Sequence, residues 1–178
     1  MQWLSLTILA FTGGCIFFQD IKTRTVTWFL FPLIAITGIL YSVYYSEPLN
    51  ILFKNSLINT IFLLIQFLLL KAVYFLKNGS NKQLIDKSIG SGDIHFLIAC
   101  SFFFSPVNFI LFYCMSLVFT LLNHLIFKSV RIKKEKLYET VPMAGFQAVF
   151  LFVYVLINVI GNNNLTADEW IMSYLTKT

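Results

Sequence analysis

Six stretches of apolar residues alternate with short polar segments along the chain. They run from about Trp3 to Gln19, Trp28 to Tyr45, Ile51 to Leu76, Ile94 to Phe104, Val107 to Phe127 and Val141 to Ile160. A helix needs roughly 20 mostly apolar residues to cross the hydrocarbon core of a bilayer. The pattern therefore predicts an all-α fold, a polytopic membrane bundle of about six transmembrane helices forming one domain over residues 1–178. The third stretch is long enough to tilt or to project past the bilayer. The fourth is short, and the pattern places its start inside the polar segment before it. Turns are expected at Ser46-Glu47-Pro48 and Ser105-Pro106, where proline interrupts helix continuity. No internal repeat is visible. The first stretch has no basic residue ahead of it and no small-residue cleavage site before Asp20, so it reads as a retained span rather than a signal peptide.

Composition sharpens this picture. Of 178 residues, 58% are hydrophobic and only 12% charged, and the mean hydropathy is +0.78. Soluble domains carry about a quarter charged residues. A soluble globular protein, a disordered chain and a disulfide scaffold are excluded. With six spans there is no room for a sizeable extramembrane domain, so any chemistry belongs on helix ends or inside the bundle. Cys15, Cys100 and Cys114 each lie in an apolar stretch without a CxxC pair; they read as small packing residues, and no metal or other cofactor is implied.

The net charge of +5 raises the question of nucleic acid, but the placement of the charges answers it. Ten basic residues fall in three alternate loops: Lys22 and Arg24, then Lys77 to Lys87, then Lys128 to Lys136. Lys71 lies near the same side, and only Lys54 and Lys177 fall on the other. This is the asymmetry of the positive-inside rule, which puts the basic loops in the cytoplasm and both termini outside. The bilayer, with its anionic lipids, is the expected partner of these charges, and nucleic acid is not.

Six of the eight acidic residues, Glu47, Asp86, Glu135, Glu139, Asp168 and Glu169, fall in loops or the tail. Asp20 and Asp93 instead sit where a span meets a polar segment, on the same side of the membrane. Ionisable groups near hydrocarbon are costly and mark functional positions. Structural roles are also open to them: Asp20 as an interfacial acid paired with Lys22 or Arg24, and Asp93 as the N-cap of the fourth span after Gly90-Ser91-Gly92. Together, however, two carboxylates brought close cannot both ionise easily and share a proton. Such a dyad activates a water with its ionised member and protonates an amide leaving group with its neutral one. Other polar residues inside the spans, namely Asn59, Gln66, Asn123, His124, Gln147 and Asn158, are expected to bond across helices, with Gln147 also a residue that could line a site.

Three motifs carry a resemblance. Asp20-Ile21-Lys22-Thr23-Arg24-Thr25-Val26 is similar to the D-x-K/R-x-R-x-I/V stretch of the type IV prepilin peptidases. Gly90-Ser91-Gly92-Asp93 matches their G-x-G-D motif, and Val141-Pro142-Met143-Ala144-Gly145-Phe146 resembles the proline-containing motif that opens their last span. The resemblance implies a GxGD aspartic endopeptidase of the membrane, with Asp20 and Asp93 as the catalytic pair. Lys22, Arg24, Gly90, Gly92, His95 and Pro142 become supporting residues, with Gly90 and Gly92 giving the loop freedom to bring Asp93 to Asp20. The implied substrates are prepilin, pseudopilin or preflagellin-like precursors, whose basic leaders are cut on the cytoplasmic side ahead of an apolar helix. His95 stands where many members have lysine. The N-terminal domain with paired cysteines that accompanies methyltransferase activity has no counterpart here, so the short, peptidase-only form is the one resembled. A presenilin-like protease fits less well, because the Pro-Ala-Leu motif is missing. A non-enzymatic transporter or assembly subunit is the alternative from another class.

Overall fold

The structure is a computed structural model that describes residues 2–45, 47–78, 90–130 and 143–168. Among these there are six α-helices and no strand: α1 Gln2–Thr23, α2 Leu30–Tyr44, α3 Leu49–Asn78, α4 Ser91–Cys100, α5 Pro106–Val130 and α6 Met143–Ile160, with a 3-10 turn over Ser101–Phe103 after α4. The chain is an all-α membrane bundle. Four helices, α1, α3, α5 and α6, are long and apolar enough to cross a membrane. The other two are shorter apolar helices. With 15 residues, α2 extends about 22 Å, against a hydrocarbon core of about 30 Å. Helix α4 has 10 residues before the chain tightens into the 3-10 turn and then extends at Phe104.

The helix boundaries follow local chemistry. Helix α1 continues past Gln19 and stops when Arg24 adopts a left-handed backbone, φ 58°, and its N–H bonds the Asp20 carbonyl at 3.2 Å. This is the single-bond αL stop that glycine usually provides. The Gln19 side chain then gathers the following loop, accepting from the Thr27 N–H at 2.9 Å and its hydroxyl at 2.7 Å. Pro32 lies in the first turn of α2 and Pro106 opens α5, positions where a missing N–H costs nothing. Helix α6 ends at Ile160, and Asn162 just beyond it is again left-handed at φ 54°.

Helices α1 and α6 form the most extensive pair. They run antiparallel on small residues: a Cβ on Gly13 would stand 3.5 Å from the Ala148 carbonyl oxygen, and one on Gly145 would stand 3.4 Å from the Phe17 Cα. Close backbone approach through small residues is the usual means of helix association in lipid. Helix α2 crosses the 3-10 turn just as closely, at Gly38. Beside them, Phe104 stacks on Phe112 at 4.9 Å and meets Tyr154 edge-on. Helix α3 is mostly outward-facing, exposing Leu57, Leu64, Leu68, Leu69 and Val73, as a lipid-facing helix does.

Polar residues tie the end of the bundle where α6 finishes. Asn59 of α3 donates to the carbonyls of Ser101 and Phe104, at 3.3 and 2.9 Å. The segment after α6, expected only as a polar tail, folds back onto this end. The Ser105 N–H bonds the Leu165 carbonyl at 2.9 Å, Asn108 bonds that of Ala167 at 3.0 Å, and the Ser105 hydroxyl donates to Asp168. Leu165 is fully buried as a result. Of the other expected glue residues, Asn158 bonds Asn163 at 3.2 Å, while Asn123 bonds the Phe119 carbonyl of its own helix.

The Gly38 crossing is testable. A Cβ there would lie 2.9 Å from Phe103 Cδ2 and 3.0 Å from the Phe102 carbonyl carbon, whereas one on Gly14 would meet nothing within 4 Å. Gly38→Ala is expected to destabilise the bundle by roughly 1–3 kcal/mol. Gly14→Ala is expected to change stability by less than about 0.5 kcal/mol. Thermal unfolding in detergent measures both.

Candidate active site

Three helix ends meet at the opposite end of the bundle: the last turn of α1, the first turn of α4 and the first turn of α6. The first turn of any helix carries N–H groups with no partner in the helix itself. In α6 two of these are occupied by side chains from elsewhere. The Ala144 N–H donates to Oδ1 of Asp93 at 2.8 Å. The Gly145 N–H donates to Oδ2 of Asp20 at 2.7 Å. Two carboxylates far apart in sequence are thus held by consecutive peptide groups. They are joined through the α6 backbone rather than by a hydrogen bond of their own, and the charge of Asp20 reaches Asp93.

Asp20 is buried, at 8% exposure, because it lies within the last turn of α1 and faces α6. A Cβ on Gly145 would stand 3.2 Å from both the Cβ and Oδ2 of Asp20, so this approach uses the missing side chain. The Arg24 guanidinium acts electrostatically on Asp20 from the next turn. Lys22 is exposed, with its ammonium 5.6 Å from the centre of the Phe18 ring.

Asp93 is not the N-cap of α4. Gly90 holds that position, and Asp93 is the third helical residue, with its own N–H bonded to the Gly90 carbonyl at 3.1 Å. From there its carboxylate reaches back to the Gly90 backbone N–H, as the acidic member of a capping box does, and sideways to α6. Gly90 has φ −69° and ψ 134°, ordinary extended values open to any residue. What calls for glycine is space, since a Cβ would lie 3.0 Å from Oδ2 of Asp93. At Gly92 a Cβ would make only an ordinary 3.8 Å contact with Phe31. Gly90 thus makes room for the carboxylate.

His95 is exposed and stacks on Phe31 at 5.9 Å and 22°. Two residues on from Asp93 in a helix, it projects from another side of α4. Pro142 lies outside the described residues, as do Asp86, Glu135, Glu139 and Glu169. Glu47 and Asp168 are engaged far from the dyad, with Asn164 and Ser105. The amides of Ala144 and Gly145 went unread in the sequence, because backbone donors carry no residue signature. The nearest signal was the pair of small residues just after Pro142.

No family model matches the chain, and neither a curated protein nor a solved structure does so.

The amide grip separates two kinds of substitution. Asp20→Asn and Asp93→Asn each keep a carbonyl oxygen for the α6 N–H groups, and are expected to stay within about 0.5 kcal/mol of wild-type stability. Asp20→Leu and Asp93→Leu leave an N–H unpaired, and are expected to cost about 1–3 kcal/mol each. Unfolding of the four variants in one detergent decides.

Proposed function

We propose that the chain is a membrane aspartic endopeptidase of the GxGD type, cleaving basic leader peptides from type IV prepilin-like precursors. The observation that carries this reading is the capture of Asp20 and Asp93 by the adjacent N–H groups of Ala144 and Gly145. The three segments that resemble prepilin-peptidase motifs are the three that meet there.

The chemistry follows from the pair. An ionised carboxylate takes a proton from water, whose oxygen attacks the scissile carbonyl carbon. The protonated partner gives its proton to the amide nitrogen as the C–N bond breaks, so the leader leaves as a carboxylate and the mature chain as an amine. Each α6 bond commits one oxygen of a carboxylate and leaves the second off that helix. The positions of both acids are thus fixed before substrate arrives, as preorganised catalysis requires. Asp20 and Asp93 lie at the end of the bundle that also holds Lys22 and Arg24, the side to which the charge pattern of the sequence assigns the basic loops. By the positive-inside rule this is the cytoplasmic face of the cell's inner membrane, where a basic leader ahead of an apolar helix is presented.

The test is cleavage of a prepilin-like precursor in membranes, with a basic leader and a glycine before the cut. Wild type is expected to release the leader, and Asp20→Asn and Asp93→Asn to lose at least about 100-fold in rate while accumulating normally. Product from either asparagine variant at the wild-type rate overturns the mechanism. No product from wild type with a panel of precursors favours an assembly subunit or transporter.

The glycines give a second test. Gly90→Ala pushes on Oδ2 of Asp93 and is expected to slow cleavage about 10-fold or more. Gly92→Ala, with room for its methyl group, is expected to stay within about twofold of wild type.

A further inference from the structure

Gln147 stands apart from the other buried amides of the bundle. It is fully buried, at 0% exposure, yet among the described residues neither its Oε1 nor its Nε2 has a hydrogen-bond partner. Asn59, Asn108 and Asn158, also buried, each donate to a named acceptor. An orphaned amide in an apolar interior is costly, and burial without a partner calls for an explanation.

Its place in the fold supplies one. Gln147 follows Ala144 by three residues on α6, so the two lie on one face a turn apart. Ala144, Gln147, Ala148 and Leu151 are among the buried residues of that helix, which is enclosed on all sides over residues 144–148. Helical side chains lean toward the N-terminus of their helix and cover the turn before their own Cα. For Gln147 that turn holds Ala144, whose N–H grips Asp93. The Cα of Gln147 is thus one turn farther into the bundle than that of Ala144, and its side chain is directed back toward the turn that holds the two carboxylates.

Resting on the peptidase reading, we infer that Gln147 binds the main chain of the substrate on the membrane side of the scissile bond. A peptide bond must leave its helix to be hydrolysed, and the N–H and C=O groups next to it lose their helical partners. In lipid no water replaces them. A primary amide offers one donor group and one acceptor, and so pairs with a peptide unit through two hydrogen bonds. The leader extends outward from the dyad and the apolar segment runs inward, so the residues just after the cut pass the level of Gln147. Such a contact reads backbone and not sequence, which suits precursors that share an apolar helix of variable composition.

The experiment uses the full chain in nanodiscs of phosphatidylethanolamine and phosphatidylglycerol. The probe is a synthetic peptide with a Lys-rich leader, a glycine and about 20 apolar residues, labelled at its N-terminus. Binding is measured on the Asp93→Asn background, with and without Gln147→Met, and cleavage on the active chain. Gln147→Met removes the amide at similar volume. It is expected to leave the melting temperature unchanged or higher, to weaken peptide binding about 10-fold and to raise KM correspondingly with kcat within about twofold. Unchanged binding and KM overturn the inference and make Gln147 a packing residue, while cleavage itself keeps the peptidase reading intact. If wild type cleaves nothing but Gln147→Met still weakens binding, the peptidase reading falls and the peptide-binding role stands. Should Gln147→Met fail to fold, Gln147→Asn carries the test with the amide on a shorter arm: weaker binding supports the role, and equal binding overturns it.

Discussion

The start of α6 is buried against two other helices, and a buried helix start brings N–H groups that must find acceptors or cost free energy. Asp20 and Asp93 are those acceptors, one for each of two successive amides. A negative charge is also favoured at this end of a helix by the alignment of its peptide dipoles. The satisfaction of α6 and the placement of the acids are therefore one interaction seen from two sides. It depends on small residues: α1 approaches closely enough for Asp20 to reach the backbone because Gly145 and, two turns along, Gly13 present no side chain. Packing, capping and site geometry share the same few atoms.

The far end of the bundle is built on the same logic with different groups. There the carbonyls freed by the 3-10 turn after α4 are taken by Asn59, and the returning segment after α6 is stitched to Ser105 and Asn108. Hydrophobic attraction between helices is weak in lipid, because the tails are as apolar as leucine; close packing and polar contacts replace it. The outward faces, α3 above all, are left to the bilayer. Polar residues inside the bundle thus hold the two ends, and the apolar middle between them is filled by aromatic rings such as Phe104, Phe109 and Phe112.

Much of this was legible in the sequence, and the exceptions have physical causes. Apolar stretches and proline breaks placed all six helices, and the location of Asp20 and Asp93 at span boundaries singled them out. Hydropathy measures composition and not helix continuity, so the shortness of α4 was visible in its apolar stretch while that of α2 was not. Asp93 after a Gly-Ser-Gly run looked like an N-cap, because cap preference cannot tell the cap position from the third helical residue, where an acid also serves. That Gly90 gives clearance to the Asp93 carboxylate is a contact across a helix turn that its place in a Gly-Ser-Gly run does not reveal. The returning segment 161–168 was invisible because its bonds are made mostly by backbone carbonyls, which every residue has. Gln147 was noticed as a polar residue in an apolar stretch, but its lack of a partner is a property of three dimensions.

The left-handed Arg24 and the extended Gly90 sit just beyond the two carboxylates, so each acid lies within a turn of a helix end. Helix ends are where bilayer thickness and helix tilt act most strongly, and a site built from them is exposed to that noise. Here both acids are referenced to a single dipeptide. If α6 rocks, it carries both carboxylates along together. If α1 and α4 drift apart, a hydrogen bond must break before the gap changes. The positions of the two acids are thereby both referred to one peptide unit of α6, so that motion of the surrounding lipid reaches their spacing only by way of those two hydrogen bonds.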